Sequence, residues 1–94
     1  MKVEFDPEKD ALNKAKHGVS LADGIEIFND DGKIFQNVTR EKDGEIRYRV
    51  VGYYQQKLFS CVYVIRGEVL RFISVRRSNK NEEREYRKQN IPKE

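Results

Sequence analysis

Hydrophobic and polar positions change their period twice along the chain, and the changes mark its elements. Val3 and Phe5 alternate with Lys2 and Glu4, which predicts a short strand over residues 2–5. Asp6-Pro7 follows, an N-cap residue before proline at the first helical position. A helix is expected from Pro7 to about His17, with Ala11, Leu12 and Ala15 on its apolar face. Gly18 supplies the left-handed stop. Ser20 to Asp23 is close to a capping box, and Leu21, Ile25 and Phe28 recur at helical spacing. A second short helix is therefore predicted before Asn29-Asp30-Asp31-Gly32.

From Lys33 the period becomes that of strands. Ile34 to Thr39 reads as a strand and Glu41 to Gly44 as a turn. Between Glu45 and Tyr54, Ile46, Tyr48 and Val50 face one way, and Arg47, Arg49 and Val51 the other. Gln55-Gln56 turns the chain into Lys57 to Ile65, a nearly unbroken apolar run expected of a central strand. Arg66-Gly67 makes a hairpin into the last strand, Glu68 to Arg76. Strict alternation there puts Arg71, Ile73 and Val75 on one face, and Phe72, Ser74 and Arg76 on the other. Asn79 to Glu82 is a second capping-box pattern, opening a helix to about Asn90. The expected fold is α+β: a short N-terminal strand, two helices, a three- to four-stranded antiparallel meander and a C-terminal helix.

At 94 residues the chain is expected to form one domain spanning residues 1–94. Charged and apolar residues each make up 37%, and the five Tyr and five Phe argue for a folded core rather than disorder. The net charge of +3 says less than its distribution. Arg71, Arg76, Arg77 and Lys80 fall in a stretch without an acid, which points to an anionic partner such as RNA. A solvated strand end gives the same pattern without function. The single Cys61 lies in the apolar run, as expected of a buried inert thiol in a reducing cytoplasm. No apolar stretch approaches the roughly 20 residues of a membrane helix, and no secretory signal is expected at the N-terminus.

One histidine, one cysteine and no acidic motif at ligand spacing give no reason to expect a metal or other cofactor. Arg, Lys, His, Glu and Tyr remain, and they suffice for metal-free RNA cleavage, in which the RNA's own 2′-hydroxyl is the nucleophile. His17 and Lys16 lie on the arc opposite Ala11, Leu12 and Ala15. Either they face a ligand, or they simply complement the helix dipole. Asn79, Glu82 and Tyr86 share one side of the last helix. There Glu82 can serve as a cap and Tyr86 as packing.

The stretches "VEFDPEK", "NKAKHGVSLADGIEIFND", "RYRVVG" and "RFISVRRSNKNEEREY" resemble, in order and spacing, the BrnT family of bacterial toxin–antitoxin toxins. Phe5 stands where Trp is common in that family. Leu21, Asp23 and Gly24 replace the usual Phe, Glu and Ala, and Ser78 replaces Ala. The resemblance implies a RelE-like fold and a growth-inhibiting ribonuclease. It also implies a BrnA-like ribbon-helix-helix antitoxin in a hetero-oligomer, with operator DNA met only through that antitoxin. The catalytic candidates are His17, Lys16, Arg71, Arg76, Glu82 and Tyr86, with Arg47, Arg77 and Lys80 as RNA-binding candidates. The alternative is a non-catalytic RNA- or DNA-binding module using the same cations, with Tyr53 or Tyr54 for stacking.

Overall fold

The caps expected from the sequence are formed. Asp6 accepts the Glu8 N–H at 2.8 Å to open α1 (Pro7–His17), and Gly18 closes it at φ 76°. Ser20 and Asp23 complete a capping box on a 3-10 turn, Leu21–Asp23, which continues directly into α2 (Gly24–Phe28). Asn79 and Glu82 complete another at the start of α3 (Lys80–Gln89). In each, side-chain oxygens satisfy backbone N–H groups that have no partner inside the helix.

The computed structural model describes residues 1–92. Its strands are β1 (Lys2–Glu4), β2 (Ile34–Asn37), β3 (Tyr48–Tyr54), β4 (Lys57–Arg66) and β5 (Val69–Arg77). They form one sheet in the order β1-β5-β4-β3-β2. The last four make the expected antiparallel meander. β1 joins them beside β5 in parallel, so the sheet is mixed rather than purely antiparallel. Gln55 and Gln56 both adopt positive φ, 51° and 65°, as a two-residue turn matched to the sheet's twist requires. The β4–β5 turn falls at Gly67-Glu68, one residue beyond the expected Arg66-Gly67.

Each sheet face carries a core. On the α2 face, Leu21 and Ile27 pack with Val50, Phe59, Cys61, Tyr63, Phe72 and Val75. Ile27 takes the buried place that helical spacing gave to Ile25, because the 3-10 turn shifts the helix phase. On the other face, Ile34, Val51 and Leu58 pack with Tyr86 of α3.

Two face assignments are overturned. Ala11, Leu12 and Ala15 are the exposed side of α1, and Leu12 is 69% exposed. Asp10, Asn13 and His17 are the side turned to the protein. Polar contacts outweigh the small apolar stripe here: Asp10 accepts from Ser20 Oγ and Leu21 N, both at 2.8 Å. In β5, Val62 of β4 pairs with Ser74 but Tyr63 pairs with Phe72, so one extra residue bulges out at Ile73. The bulge turns Phe72 and Val75 into the same core, where strict alternation had separated them.

Gly24 shows why a residue of poor helix propensity stands inside a short helix. A Cβ there would lie 2.7 Å from the Phe72 ring and 2.9 Å from Cys61 Sγ. Gly24→Ala should therefore destabilise the protein by about 1–3 kcal/mol through overpacking, against the roughly 1 kcal/mol that helix propensity favours. Urea unfolding measures the sign, and a stabilised variant would contradict the packing.

Candidate functional site

β1 is short and covers β5 only at Val69 to Arg71, which leaves the backbone of β5 at Val75 with no strand on that side. Asn13 of α1 takes the strand's place. Its Oδ1 accepts the Val75 N–H at 3.1 Å, and its Nδ2 donates to the Val75 carbonyl at 2.9 Å and the Val19 carbonyl at 2.8 Å. Both donors and the carbonyl oxygen of a buried carboxamide are thus used. The bonds fix the last turn of α1 against β5, and His17 lies one turn beyond Asn13.

His17 lines a groove of about 200 Å³ with Lys9, Leu12, Asn13, Lys16, Ile73 and Ser74. Partial burial lowers its pKa below the usual 6.5, and the positive charges of Lys16 and Arg76 lower it further. The imidazole is therefore neutral at pH 7 and able to accept a proton. A second groove of about 220 Å³ adjoins the first across Ile73 and Ser74, bounded by Val38, Arg40, Arg47 and Val62.

At the start of α3 a single carboxylate organises the cations. Glu82 is 2% exposed. Its Oε1 accepts from Arg76 Nη1 at 2.7 Å, Ser60 Oγ at 2.8 Å and Asn79 N at 3.0 Å. Its Oε2 accepts from Arg76 Nη2 at 2.8 Å and Asn79 Nδ2 at 3.2 Å, with Arg49 Nη1 at 3.1 Å. Ser60 gives its one proton to Glu82, so the Ser78 hydroxyl, 2.7 Å away, donates to Ser60. Burial alone would push the Glu82 carboxyl up. Hydrogen bonds from Arg76, the Asn79 N–H and Ser60 outweigh it and hold the pKa at about 2.

The structure divides the other candidates. Arg71 pairs with Glu4 on β1 and lines neither groove. Arg77 lies on the opposite sheet face from Arg76, its guanidinium 5.7 Å from the centre of the Phe59 ring. Lys80 lies on the outer side of α3 with Arg84 and Arg87. Tyr86 packs in the second core and donates to Asp30 at 2.7 Å, and burial raises its pKa. Arg47 faces the second groove near Asp43. The stretch Arg71 to Lys80 is thus not one cationic patch. His17 and Lys16 line the first groove, and Arg40 and Arg47 line the second across Ile73 and Ser74; Arg76 lines neither but lies close enough to act electrostatically on His17.

Asn13, Arg40, Arg49, Ser60 and Ser74 belong to this region although the sequence did not single them out as site residues. Asn13 bonds the β5 edge, strand pairing places Arg49, Ser60 and Ser74, and Arg40 is held locally by Asp43 at i,i+3. Among the described residues, no three His, Cys, Asp or Glu side chains gather as a metal site would need. Nor is any described helix long and apolar enough to cross a membrane.

Fold and groove together define a small α+β protein with a cationic cleft suited to an anionic ligand. The chain belongs to the family described as the ribonuclease toxin, BrnT, of type II toxin–antitoxin systems, whose family model matches residues 5–82. No curated protein sequence matches it. Membership implies a ribonuclease toxin that has an RNA target and an antitoxin partner.

Removing the charge of Glu82 tests the hub. Glu82→Gln should cost about 3 kcal/mol, because it leaves two arginines near a site built for an anion. In the native protein a pKa of about 2 lies below the ordinary 4.5. The stabilisation is thus complete above about pH 4.5 and lost as pH falls toward 2. Unfolding measured from pH 7 to 2 should show this loss in the native protein and little of it in Glu82→Gln.

Proposed function

We propose that this protein cleaves RNA in the groove over Ile73 and Ser74 without a metal ion, using His17 as the general base. The observation that carries the reading is the placement of His17 beside Lys16 in a groove also rimmed by Lys9, within electrostatic reach of Arg76. His17 takes the proton of a 2′-hydroxyl. The 2′-oxygen then attacks the adjacent phosphorus as the bond to the 5′-oxygen breaks. That oxygen takes a proton from solvent, leaving a 2′,3′-cyclic phosphate and a 5′-hydroxyl. Lys16 and the positive charge of Arg76 stabilise the charge that develops on the phosphate.

Glu82 has a different part in this reading. Its oxygens are fully engaged and its acidity is high, so it serves as a positioning residue that aims Arg76. Tyr86, bound to Asp30 inside the second core, holds α3 in place. Arg40 and Arg47, which line the second groove, bind the RNA beyond the bulge. The partner is a BrnA-like antitoxin, through which operator DNA is met. Phe35 pairs with Val50, and Ile65 lies two residues beyond Tyr63, so both place exposed apolar surface on the α2 face that fits a protein partner. An RNA target and a buried thiol at Cys61 fit action in the cytoplasm.

Purified protein incubated with RNA in excess EDTA should cleave it, and EDTA-abolished cleavage restored by a divalent ion would contradict the mechanism. His17→Ala should slow cleavage by about 10²–10⁴-fold, the usual worth of a general base. The rate should rise with pH through a pKa below 6.5 and then level. Lys16→Glu removes a positive charge that lowers the pKa of His17, so the rising limb should move to higher pH. An unmoved limb would mean that another group is titrating.

A further inference from the structure

The bulge in β5 gives the groove floor a shape that a regular strand lacks. With one residue extra between the Val62 and Tyr63 pairings, Ile73 and Ser74 both border the groove, where strict alternation would place one of them on each face. They form a divide with a cavity on each side. Toward α1 lie Leu12 and Ile73, rimmed by Lys9, Lys16 and His17. Toward β2 and β3 lie Val38 and Val62, rimmed by Arg40 and Arg47.

We propose that the Ile73–Ser74 bulge separates two single-base subsites, so that the protein takes single-stranded RNA as a two-nucleotide step straddling the bulge. The inference rests on the ribonuclease reading above and gives it a substrate geometry. Cavities of about 200 and 220 Å³ are smaller than the roughly 300 Å³ at which sites for drug-sized ligands begin. Each suits one ring system with an apolar floor. Leu12 and Ile73 offer aliphatic surfaces to one base. Arg40 and Arg47 offer guanidinium planes to the other, a stacking partner common in RNA recognition. Lys16, on the rim of the α1 cavity, is placed to meet the phosphate between the two bases. In a duplex both bases are paired and stacked, so neither enters a cavity.

The position of His17 fixes polarity. The base accepts its proton from the nucleotide on the 5′ side of the broken bond. That nucleotide therefore occupies the α1 cavity, and the 3′ nucleotide occupies the cavity at Arg40 and Arg47.

Sequencing the ends produced from a randomised single-stranded RNA pool tests this assignment. Leu12 is largely exposed, so Leu12→Trp narrows the α1 cavity at little cost to folding. It should change base preference on the 5′ side of the cut by about tenfold and leave the 3′ side alone. Val38→Phe should do the reverse. Should Val38→Phe fail to fold, Arg40→Ala makes the same test, since the Arg40 side chain is 57% exposed. A duplex of matching sequence should resist cleavage. Preference moved on the wrong side, moved by neither cavity, or duplex cut as fast as single strand would overturn the proposal. If the wild-type protein cleaves no RNA, the ribonuclease reading falls, and binding still reads the subsites. A 2′-deoxy trinucleotide should bind about tenfold more weakly to Leu12→Trp and to Arg40→Ala. Unchanged binding by both variants would remove the subsites.

Discussion

The open edge of β5 at Val75 is the constraint on which the site depends. A sheet edge buried against a helix leaves peptide groups that need partners, and each one unpaired costs about 1–3 kcal/mol. β1 ends too early to supply them, and Asn13 does so from α1. A carboxamide matches a peptide in donor and acceptor, so the helix docks as a strand would, through paired hydrogen bonds. Apolar residues are left free to face outward. Because the bonded residue is in the last turns of α1, docking and placement of His17 are one event.

Glu82 performs a second docking, that of α3. α3 needs a cap, and the capping carboxylate is the same group that receives Arg76, Arg49 and Ser60. A buried ion pair adds little net stability when solvation is counted, yet losing one partner is costly. Such a cluster therefore acts mainly to hold geometry. Here it fixes the guanidinium of Arg76 within electrostatic range of His17. The Ser78 hydroxyl lengthens this network by a bond to Ser60. Gly24 admits the Phe72 ring.

Local signals were legible in the sequence. Asp6, Gly18, Ser20, Asp23, Asn79 and Glu82 all cap as their types and spacing foretell, because a cap is made by residues a few positions apart. Long-range contacts were not. The apolar stripe of Ala11, Leu12 and Ala15 misled because periodicity assumes burial through apolar contact, and α1 is held through Asp10 and Asn13. The bulge at Ile73 left no trace, since it exists only relative to β4. Of the candidate site, helix position grouped Lys16 with His17 but turned both away from the protein, whereas His17 lies on the side of α1 that faces it. Arg71, Arg76, Arg77 and Lys80 looked alike as charges, and only their partners, Glu4, Glu82, Phe59 and solvent, tell them apart.

Because His17 is the one histidine of the chain, its imidazole resonance can be followed by itself in a proton NMR titration. The native protein should show a midpoint below 6.5, with burial as the first cause and Lys16 and Arg76 as the next. In Asn13→Ala the last turn of α1 loses its bonds to Val75, so the imidazole gains solvent and moves away from Arg76. Its midpoint should rise toward 6.5 while the amide resonances of β3 and β4 keep their native dispersion. A midpoint unchanged by Asn13→Ala in a folded protein would contradict the claim that this carboxamide builds the site.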